Sequence, residues 1–317
     1  MRCLKCKENA VIELRQHNAS YCRTHFLSYF TNRVRQNIEH RRMFAPDDRI
    51  LVAVSGGKDS LALWDVLLGL GFNASGLHLH LGIGEYSNLS LEKTRHFASS
   101  RGAELIEVNL AKEYGMGVTE LSSKTGRVPC SACGQSKRYL FNKVALDRGF
   151  SVLATGHNLD DEAATLLGNV LSWQTQALAR QSPVLPRTRP TLVKKVKPLY
   201  TLTERETALY CLLKRIDYVE DECPNALGAK SLLFKEVLNR LEENMPGVKQ
   251  SFVKLFLKRI QPLLKSEQDV DVRDCAVCGQ PTTREICAFC SLWQKALSGG
   301  VAYNASSGAQ IEDRRID

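Results

Sequence analysis

Eleven cysteines carry much of the chemistry that this sequence makes possible, and most of them fall into three spaced groups. The first group is a Cys-x2-Cys pair followed by Cys-x2-His, and the last group is two Cys-x2-Cys pairs. Such sets of four thiolates and imidazoles are the ligands of closed, tetrahedral structural zinc sites. The sequence therefore predicts two zinc modules, with the ligands Cys3, Cys6, Cys22 and His25 in the first, and Cys275, Cys278, Cys287 and Cys290 in the second.

The middle group has a different pattern. Cys130 and Cys133 form a single Cys-x2-Cys pair, and the third thiol assigned to them is Cys223, far along the chain. Three thiolates leave one coordination position open, which favours a functional site over a structural one. The alternatives are a dithiol that carries sulfur as a persulfide or disulfide, and a third zinc site completed by another ligand. Cys211 lies in a helical apolar context and is predicted to be a buried core thiol.

A glycine-rich loop forms a candidate phosphate site. The run Val52–Val54 leads into Ser55-Gly56-Gly57-Lys58-Asp59-Ser60, and a helical pattern follows. Backbone N–H groups of such a loop converge with the positive end of the helix dipole, and Lys58 adds a charge. The spacing is not that of a Walker loop, and an ordinary glycine-rich helix cap is the alternative. The hexapeptide resembles the signature of the PP-loop ATP pyrophosphatases, which cleave ATP between the α- and β-phosphates to adenylate a substrate.

A second motif follows the fourth apolar run. The sequence Gly156-His157-Asn158-Leu159-Asp160-Asp161-Glu162 stands at the carboxyl edge of a predicted strand, where α/β sheets bind ligands. Resemblance to the PP-loop enzymes implies that Gly156 lies near the nucleotide and the acidic pair near the reacting phosphate. The alternative is that Asp160 and Asp161 cap the helix that follows. We assign the cap to Asp160 and the role near the phosphate to Asp161.

The elements that must position these residues form a parallel sheet. Apolar runs at 49–54, 74–80, 104–109 and 152–155 alternate with helical patterns near 60–70, 89–100, 134–148 and 160–171. Strands separated by such helices imply βαβ units, so the predicted fold class is α/β, a Rossmann-like parallel sheet with helices on both faces. A basic amphipathic helix is predicted over 26–44, and helical patterns over 203–264 with a break at Pro246-Gly247.

The chain divides into five predicted segments. Their bounds are 1–26 for a zinc finger, 27–200 for the catalytic domain, 201–268 for a helical extension carrying Cys223, 269–293 for a zinc ribbon, and 294–317 for a mobile tail.

Length and composition bound the class of protein. The 317 residues, 44% hydrophobic and 24% charged, fit a soluble globular chain of about two domains. The sequence lacks a membrane-length apolar run and a signal-peptide pattern, so we expect a cytoplasmic protein without membrane partners.

A net charge of +9 favours a polyanionic partner. Basic stretches at 33–42 and 187–197 predict where RNA is held, with a solvated rim at 194–197 as the alternative.

The order of the motifs resembles one family. The N-terminal zinc pattern, SGGKDS, Cys-x2-Cys, GHNLDDEA, Glu-Cys-Pro and the C-terminal four-cysteine module occur together in the TtuA branch of the TtcA/TtuA family of tRNA 2-thiolation enzymes. The resemblance covers about residues 1–292. It implies that ATP adenylates the C2 oxygen of a tRNA uridine or ribothymidine, at T-loop position 54 in this branch, and that sulfur then displaces AMP.

The resemblance also implies cofactors, partners and residue roles. Cys130, Cys133 and Cys223 match the ligands of a [4Fe-4S] cluster, beside two structural zinc ions and ATP with Mg²⁺. Sulfur is expected from a ubiquitin-like carrier protein with a C-terminal thiocarboxylate, the substrate is tRNA, and the enzyme is expected to be a homodimer. The residues that match the family's ATP site are Ala53, Ser55, Gly56, Gly57, Lys58, Asp59, Ser60, Leu79, Lys137 and Gly156.

Lys137 and Asp161 match the family's catalytic positions. Lys137 lies one helical turn after Cys133, so both side chains can face one pocket. A cation there stabilises charge that develops on phosphate or on the pyrimidine oxygen. A solvated helix lysine is the alternative.

Three functions remain open at this point. The first is tRNA thiolation, at T54 or at the wobble uridine. The second is another PP-loop adenylating ligase or amidotransferase, which has no need of the three central cysteines. The third is a non-catalytic, zinc-stapled RNA-binding module. The intact Lys58, Asp59, Ser60 and Asp161 favour an enzyme.

Overall fold

The computed structural model describes residues 1–226, 229–264 and 272–297. Its strands are β1 (Ile12–Leu14), β2 (Ala19–Tyr21), β3 (Ile50–Ala53), β4 (Ala74–His80), β5 (Leu105–Asn109), β6 (Val152–Thr155), β7 (Val184–Leu185), β8 (Lys194–Val196), β9 (Arg273–Asp274) and β10 (Pro281–Thr282). Its α-helices are α1 (Arg23–His40), α2 (Lys58–Gly69), α3 (Gly84–Arg101), α4 (Leu110–Tyr114), α5 (Val118–Thr125), α6 (Pro129–Asp147), α7 (Leu159–Leu171), α8 (Thr175–Arg180), α9 (Glu204–Lys214), α10 (Lys230–Asn244), α11 (Val248–Leu255) and α12 (Ala288–Leu297).

A six-stranded sheet in the order β5-β4-β3-β6-β8-β7 forms the centre of the fold. All neighbours are parallel except β7 and β8. In β3, Ile50, Leu51 and Val52 are completely buried, as expected of a parallel strand covered on both faces. The chain runs outward from β3 through β4 to β5 and returns at β6. The carboxyl ends of β3 and β6 therefore form the switch point at which such sheets bind ligands.

The four predicted strands and the α/β fold class are confirmed. The predicted helix near 134–148 begins earlier, at Pro129, because proline fits the first helical turn. Cys130 and Cys133 are therefore on α6 rather than in a loop before it. The predicted helical region 203–264 breaks at Pro246-Gly247 as expected, but it also opens between α9 and α10. Cys223 lies between these two helices, directly before a 3₁₀ turn at Pro224–Ala226.

Strand β8 was missed by the sequence analysis. Lys194–Val196 pairs with β6, and Val196 is completely buried, so this basic run is part of the sheet. Lys194 Nζ donates to the carbonyl of Arg42 at 2.8 Å, and Lys197 Nζ lies 2.7 Å from Glu162. Lys194 and Lys197, for which a solvated rim was the alternative to an RNA contact, are therefore held by protein contacts.

Both cysteine-rich ends pack on the central body. In the N-terminal part, the β1–β2 hairpin leads into α1, where Phe30 stacks on Tyr210 of α9 with ring centroids 4.4 Å apart. In the C-terminal part, Phe289 of α12 stacks on Tyr139 of α6 at 3.7 Å. Helix α12 continues to Leu297, so residues 294–297 of the predicted tail are helical. The rest of that tail lies outside the described residues.

Candidate functional site

The loop between β3 and α2 is closed by its own serines. The backbone N–H of Ser55 donates to Ser60 Oγ at 3.1 Å, and Ser60 Oγ donates to the Gly57 carbonyl at 2.9 Å. Gly56 has φ +76°, and a Cβ there would lie 2.6 Å from the carbonyl oxygen of Ser90. Glycine is thus required both by the backbone conformation and by the close approach of α3. The result is a tight turn at the N-terminus of α2, suited to an anion.

A ring of alternating charges stands beside this loop. Lys58 Nζ lies 2.6 Å from Glu204 and 3.3 Å from Asp59, while Lys235 Nζ lies 2.7 Å from Asp161 and 3.2 Å from Glu204. Burial raises the pKa of Glu204, but the nearby Lys58 and Lys235 outweigh it and hold this pKa below its ordinary value. Burial holds the pKa of Asp59 above its ordinary value. The arrangement keeps both lysines charged next to the phosphate loop.

The motif after β6 touches the same loop. A Cβ on Gly156 would lie 2.8 Å from the backbone carbon of Asp59 and 2.8 Å from the nitrogen of Ser60. Asn158 Nδ2 donates to Asp59 Oδ1 at 3.0 Å. These contacts bring the predicted ATP-site residues Gly156, Asp59 and Ser60 together, and they place Asp161 near Asp59.

The prediction that Asp160 caps α7 is wrong. The cap is Asn158, whose side-chain oxygen accepts the N–H groups of Asp160 and Asp161, while Asp161 completes the capping box. Asp160 is buried and faces away from the helix start, because it accepts the Glu204 N–H at 2.8 Å and pairs with the buried Lys249 at 2.5 Å. Asp160 thus joins α7 to α9 and α11.

A cavity of about 100 Å³ connects the carboxyl ends of β3 and β4 with the central cysteines. It brings together six predicted site residues, Ala53, Ser55, Leu79, Cys133, Lys137 and Cys223; the other residues that line it are Val54, His78, Leu81, Ile83, Tyr86, Ser87, Ser90 and Phe141. Lys137 and Cys133 face this cavity together, as their spacing predicts. Asp161 and Cys130 do not line it.

Two of the three central thiols, those of Cys133 and Cys223, line this cavity, and Cys130 lies one turn before Cys133 on α6. Burial raises the pKa of Cys133. Lys137 hydrogen-bonds the Cys133 sulfur and opposes this shift, whereas the charges of Cys223 and Cys130 add to it. Cys130 is exposed, and its Sγ donates to the carbonyl of Asn225 at 3.0 Å. In a [4Fe-4S] cluster each cysteine binds a different iron atom, so the sulfurs need not converge on one point. The thiols of Cys133 and Cys223 at this cavity, with Cys130 on the same helix as Cys133, are donors of the kind that such a cluster binds.

The two terminal groups fit single zinc ions. Within the part of the chain that the structure describes, the ligand atoms of Cys3, Cys6, Cys22 and His25 lie within 4.8 Å of one another, and so do those of Cys275, Cys278, Cys287 and Cys290. Cys6 and Cys22 sulfurs are 3.6 Å apart and Cys278 and Cys287 sulfurs 3.7 Å apart. Tetrahedral Zn–S bonds of about 2.3 Å require sulfurs about 3.8 Å apart. His25 faces its group with Nδ1.

Sequence reasoning missed four residues at this site. Asn158 was readable as a helix cap, since asparagine precedes an acidic first turn in the motif itself. Glu204 and Lys235 gave no signal, because they reach the loop only through the packing of α9 and α10. His78 was part of an apolar strand pattern and was treated as such.

Known proteins resemble this chain over most of its length. A family model described as PP-loop domain matches residues 26–229, and one described as 2-thiouridine synthetase TtuA, N-terminal LIM domain, matches residues 2–27. The tRNA-5-methyluridine(54) 2-sulfurtransferase of Thermus thermophilus is 54% identical over 92% of this chain and 91% of its own. The protein of the same name from Pyrococcus horikoshii is 44% identical over 92% and 94%.

A solved structure shows the same fold. The U34-tRNA thiolase NcsA of Methanococcus maripaludis, described with its [4Fe-4S] cluster, superposes with a TM-score of 0.80 at 26% identity, over 94% of this chain and 96% of that one. No helix within the described ranges is both long and apolar enough to span a membrane. With the phosphate loop, the cysteine-lined cavity and the two terminal cysteine groups in place, the chain belongs to the TtuA-type tRNA 2-thiouridine synthetases, a branch of the TtcA/TtuA family of PP-loop enzymes.

Proposed function

We propose that this enzyme replaces the C2 oxygen of ribothymidine 54 in the T loop of tRNA with sulfur. One observation carries the proposal: a single cavity joins the phosphate loop at Ser55 to Cys133, Lys137 and Cys223. The two reagents that 2-thiolation needs, an activating nucleotide and a sulfur atom, then meet in one place. The names of the Thermus and Pyrococcus relatives support position 54 as the target.

The chemistry requires two displacements. The C2 oxygen attacks the α-phosphorus of ATP, pyrophosphate leaves, and the base loses its N3 proton. Sulfide then attacks C2, and AMP leaves with the original oxygen while N3 regains a proton. The [4Fe-4S] cluster would supply a site that holds the incoming sulfur. We infer that a ubiquitin-like thiocarboxylate carrier delivers this sulfur and that the enzyme acts as a homodimer.

The residues of this chain have separate tasks in that scheme. The loop Ser55–Ser60 binds the phosphates through its N–H groups and Lys58. Lys137 stands inside the cavity, where a fixed cation stabilises the charge that forms on the pyrimidine oxygen or on the departing phosphate. Asp161, beside Asp59 and Lys235, would contribute to the Mg²⁺–phosphate region. Cys130, Cys133 and Cys223 would hold the cluster.

An isotope experiment tests the adenylation step. A tRNA carrying ¹⁸O at C2 of ribothymidine 54 is incubated without oxygen with the reconstituted enzyme, ATP and sulfide. We expect the label in AMP, in equal amount to the 2-thioribothymidine formed, both measured by mass spectrometry. AMP without label, with thiolated product present, would overturn O2 adenylation.

Wobble-uridine thiolation is the second candidate, because the structural neighbour NcsA is named for U34. Two tRNA substrates distinguish the targets, one with U54 replaced by cytidine and one with U34 replaced by cytidine. We expect loss of thiolation only in the first. Loss only in the second would move the activity to the anticodon.

Metal analysis tests the cofactors. Protein purified without oxygen is expected to hold about four iron and two zinc per chain, and Cys223→Ala is expected to lose iron but keep zinc. Zinc alone, unchanged by the substitution, would support a persulfide relay or a non-thiolating PP-loop ligase instead.

A further inference from the structure

His78 is a buried imidazole in the wall of the cavity. It extends from β4 with 2% of its surface exposed and lines the cavity together with Ser55 and Lys137. Its Nδ1 lies 3.1 Å from the carbonyl of Val54 and 3.3 Å from Thr94 Oγ1. Both contacts are on one edge of the ring, and they fix its orientation.

These contacts also determine the tautomer. The Val54 carbonyl can only accept a hydrogen bond, and Thr94 Oγ1 donates its hydrogen to the Ser90 carbonyl at 2.8 Å. Nδ1 must therefore carry the ring hydrogen, which leaves a lone pair on Nε2. Burial lowers the pKa of His78 to about 4, despite the hydrogen bond to Val54, which raises it. The imidazole is neutral at physiological pH.

Nε2 is a buried acceptor without a hydrogen-bond partner among the described residues. Native structures rarely leave such an atom unsatisfied unless a ligand or water completes it. Thiolates and phosphates carry no hydrogen to donate, so they cannot satisfy a lone pair. An O–H or N–H group of a ligand that enters the cavity would complete this atom.

We propose that His78 positions ATP by accepting a hydrogen bond at Nε2 from the adenosine part of the nucleotide, an inference that rests on the proposed nucleotide site. Phosphates bound at the N-terminus of α2 leave the adenosine to extend over the ends of β3 and β4, where Ala53, Leu79 and His78 lie. Adenosine offers three donors of this kind, the 2′-hydroxyl, the 3′-hydroxyl and the 6-amino group.

Calorimetric binding of ATP to the anaerobic, metal-loaded protein tests the residue. His78→Phe keeps the ring volume but removes the acceptor, and we expect ATP to bind about three- to tenfold more weakly. His78→Gln restores an acceptor of similar reach and is expected to recover most of this loss. The matched control is His80→Phe, on the same strand but outside the lining of the cavity; its ATP affinity is expected to stay unchanged. Iron and zinc content of each variant verifies that it folds.

Nucleotide analogues identify the donor. The arms are 2′-deoxyATP, 3′-deoxyATP and purine riboside triphosphate, which lacks the 6-amino group. We expect one analogue to bind wild type more weakly by the factor that His78→Phe produces, and to bind the variant as tightly as ATP does. An equal loss for ATP and all three analogues in the variant, or no loss, would overturn the proposal.

Nitrogen NMR of histidine-labelled protein gives a readout independent of affinity and of thiolation. The expected spectrum shows His78 with a protonated Nδ1, and its Nε2 resonance shifts when ATP is added. A ring protonated at Nε2, or an Nε2 signal indifferent to ATP, would contradict it. Neither calorimetry nor NMR involves tRNA. The test of His78 is therefore independent of whether the proposed thiolation occurs.

Discussion

Lys235 pairs with two carboxylates beside the phosphate loop. It contacts Asp161 and Glu204 from α10, with 22% of its side chain exposed. Lys235→Met leaves both carboxylates without this partner, next to Asp59. We expect the free energy of unfolding to fall by about 1–2 kcal/mol, between the values for exposed and buried pairs, and ATP affinity to weaken. Urea unfolding and calorimetry measure the two effects.

Arg240→Met is the control for this prediction. Arg240 lies on the same helix and pairs with Glu236, but both side chains are mostly exposed, so its loss is expected to cost less than about 0.5 kcal/mol. If both substitutions lower the free energy of unfolding equally, the ring of charges contributes no more to stability than an exposed ion pair does.

Gly156 allows β6 and α2 to meet at the phosphate loop. Gly156→Ala places a methyl group 2.8 Å from backbone atoms of Asp59 and Ser60, which have no side-chain freedom to yield. We expect a loss of about 1–3 kcal/mol from overpacking and a clear loss of ATP binding. Gly69→Ala, at the end of α2 with nothing within 4 Å of the new methyl, is expected to be neutral or slightly stabilising. Thermal unfolding of both variants checks this, and tight ATP binding by Gly156→Ala would refute it.

The pattern of apolar residues predicted the central strands of the sheet, but it did not predict the short strand β8 or the packing of the helices on one another. β3 to β6 were readable because each is an apolar run of four to seven residues between helical patterns. β8 was not, since three residues with two lysines resemble a surface segment. The loop and motif residues of the site were readable for the same local reason. Glu204, 146 residues from Lys58, was not, because its place depends on how α9 packs on α2.

Helix α6 joins the central cysteines to the C-terminal module. It carries Cys130, Cys133 and Lys137 on one end and contacts α12 through the Tyr139–Phe289 stack. Asn142 Nδ2 donates to Gln280 Oε1 at 2.6 Å, within the second cysteine group. The C-terminal module therefore supports the helix on which the proposed cluster depends.

Removing one metal ligand from each module tests this support. Cys278→Ala is expected to lose one zinc, to loosen α12 from α6 and to lower the iron content, although Cys278 is not a proposed cluster ligand. Cys6→Ala is expected to lose one zinc and retain iron, because the first module packs through α1 on α9 instead. Metal analysis and hydrogen exchange across residues 129–147 are measured for both variants. An unchanged iron content in Cys278→Ala would show that α6 keeps its position without the C-terminal module.

Across the whole molecule, three segments distant in sequence meet at one cavity. Cys223 is joined to the phosphate loop because the N–H of Val219 donates to the Gly56 carbonyl at 2.9 Å. The same connection runs on into α10, whose Lys235 returns to Asp161. The phosphate loop and Cys223 are therefore held near each other by one connection.

We expect the net charge of +9 to act on tRNA through exposed arginine side chains. Arg187 and Arg189 are exposed on the loop before β8, whereas Lys197 is held by Glu162, which has 6% of its side chain exposed. In Arg187→Ala/Arg189→Ala, the slope of log affinity for tRNA against log salt concentration is expected to fall by about 2, one per lost phosphate contact. Lys197→Met is expected to keep the slope but lose about 2–3 kcal/mol of stability, because a buried carboxylate is left unpaired. Filter binding across a salt series and urea unfolding separate the two. An unchanged slope in the double variant would place the RNA on another face.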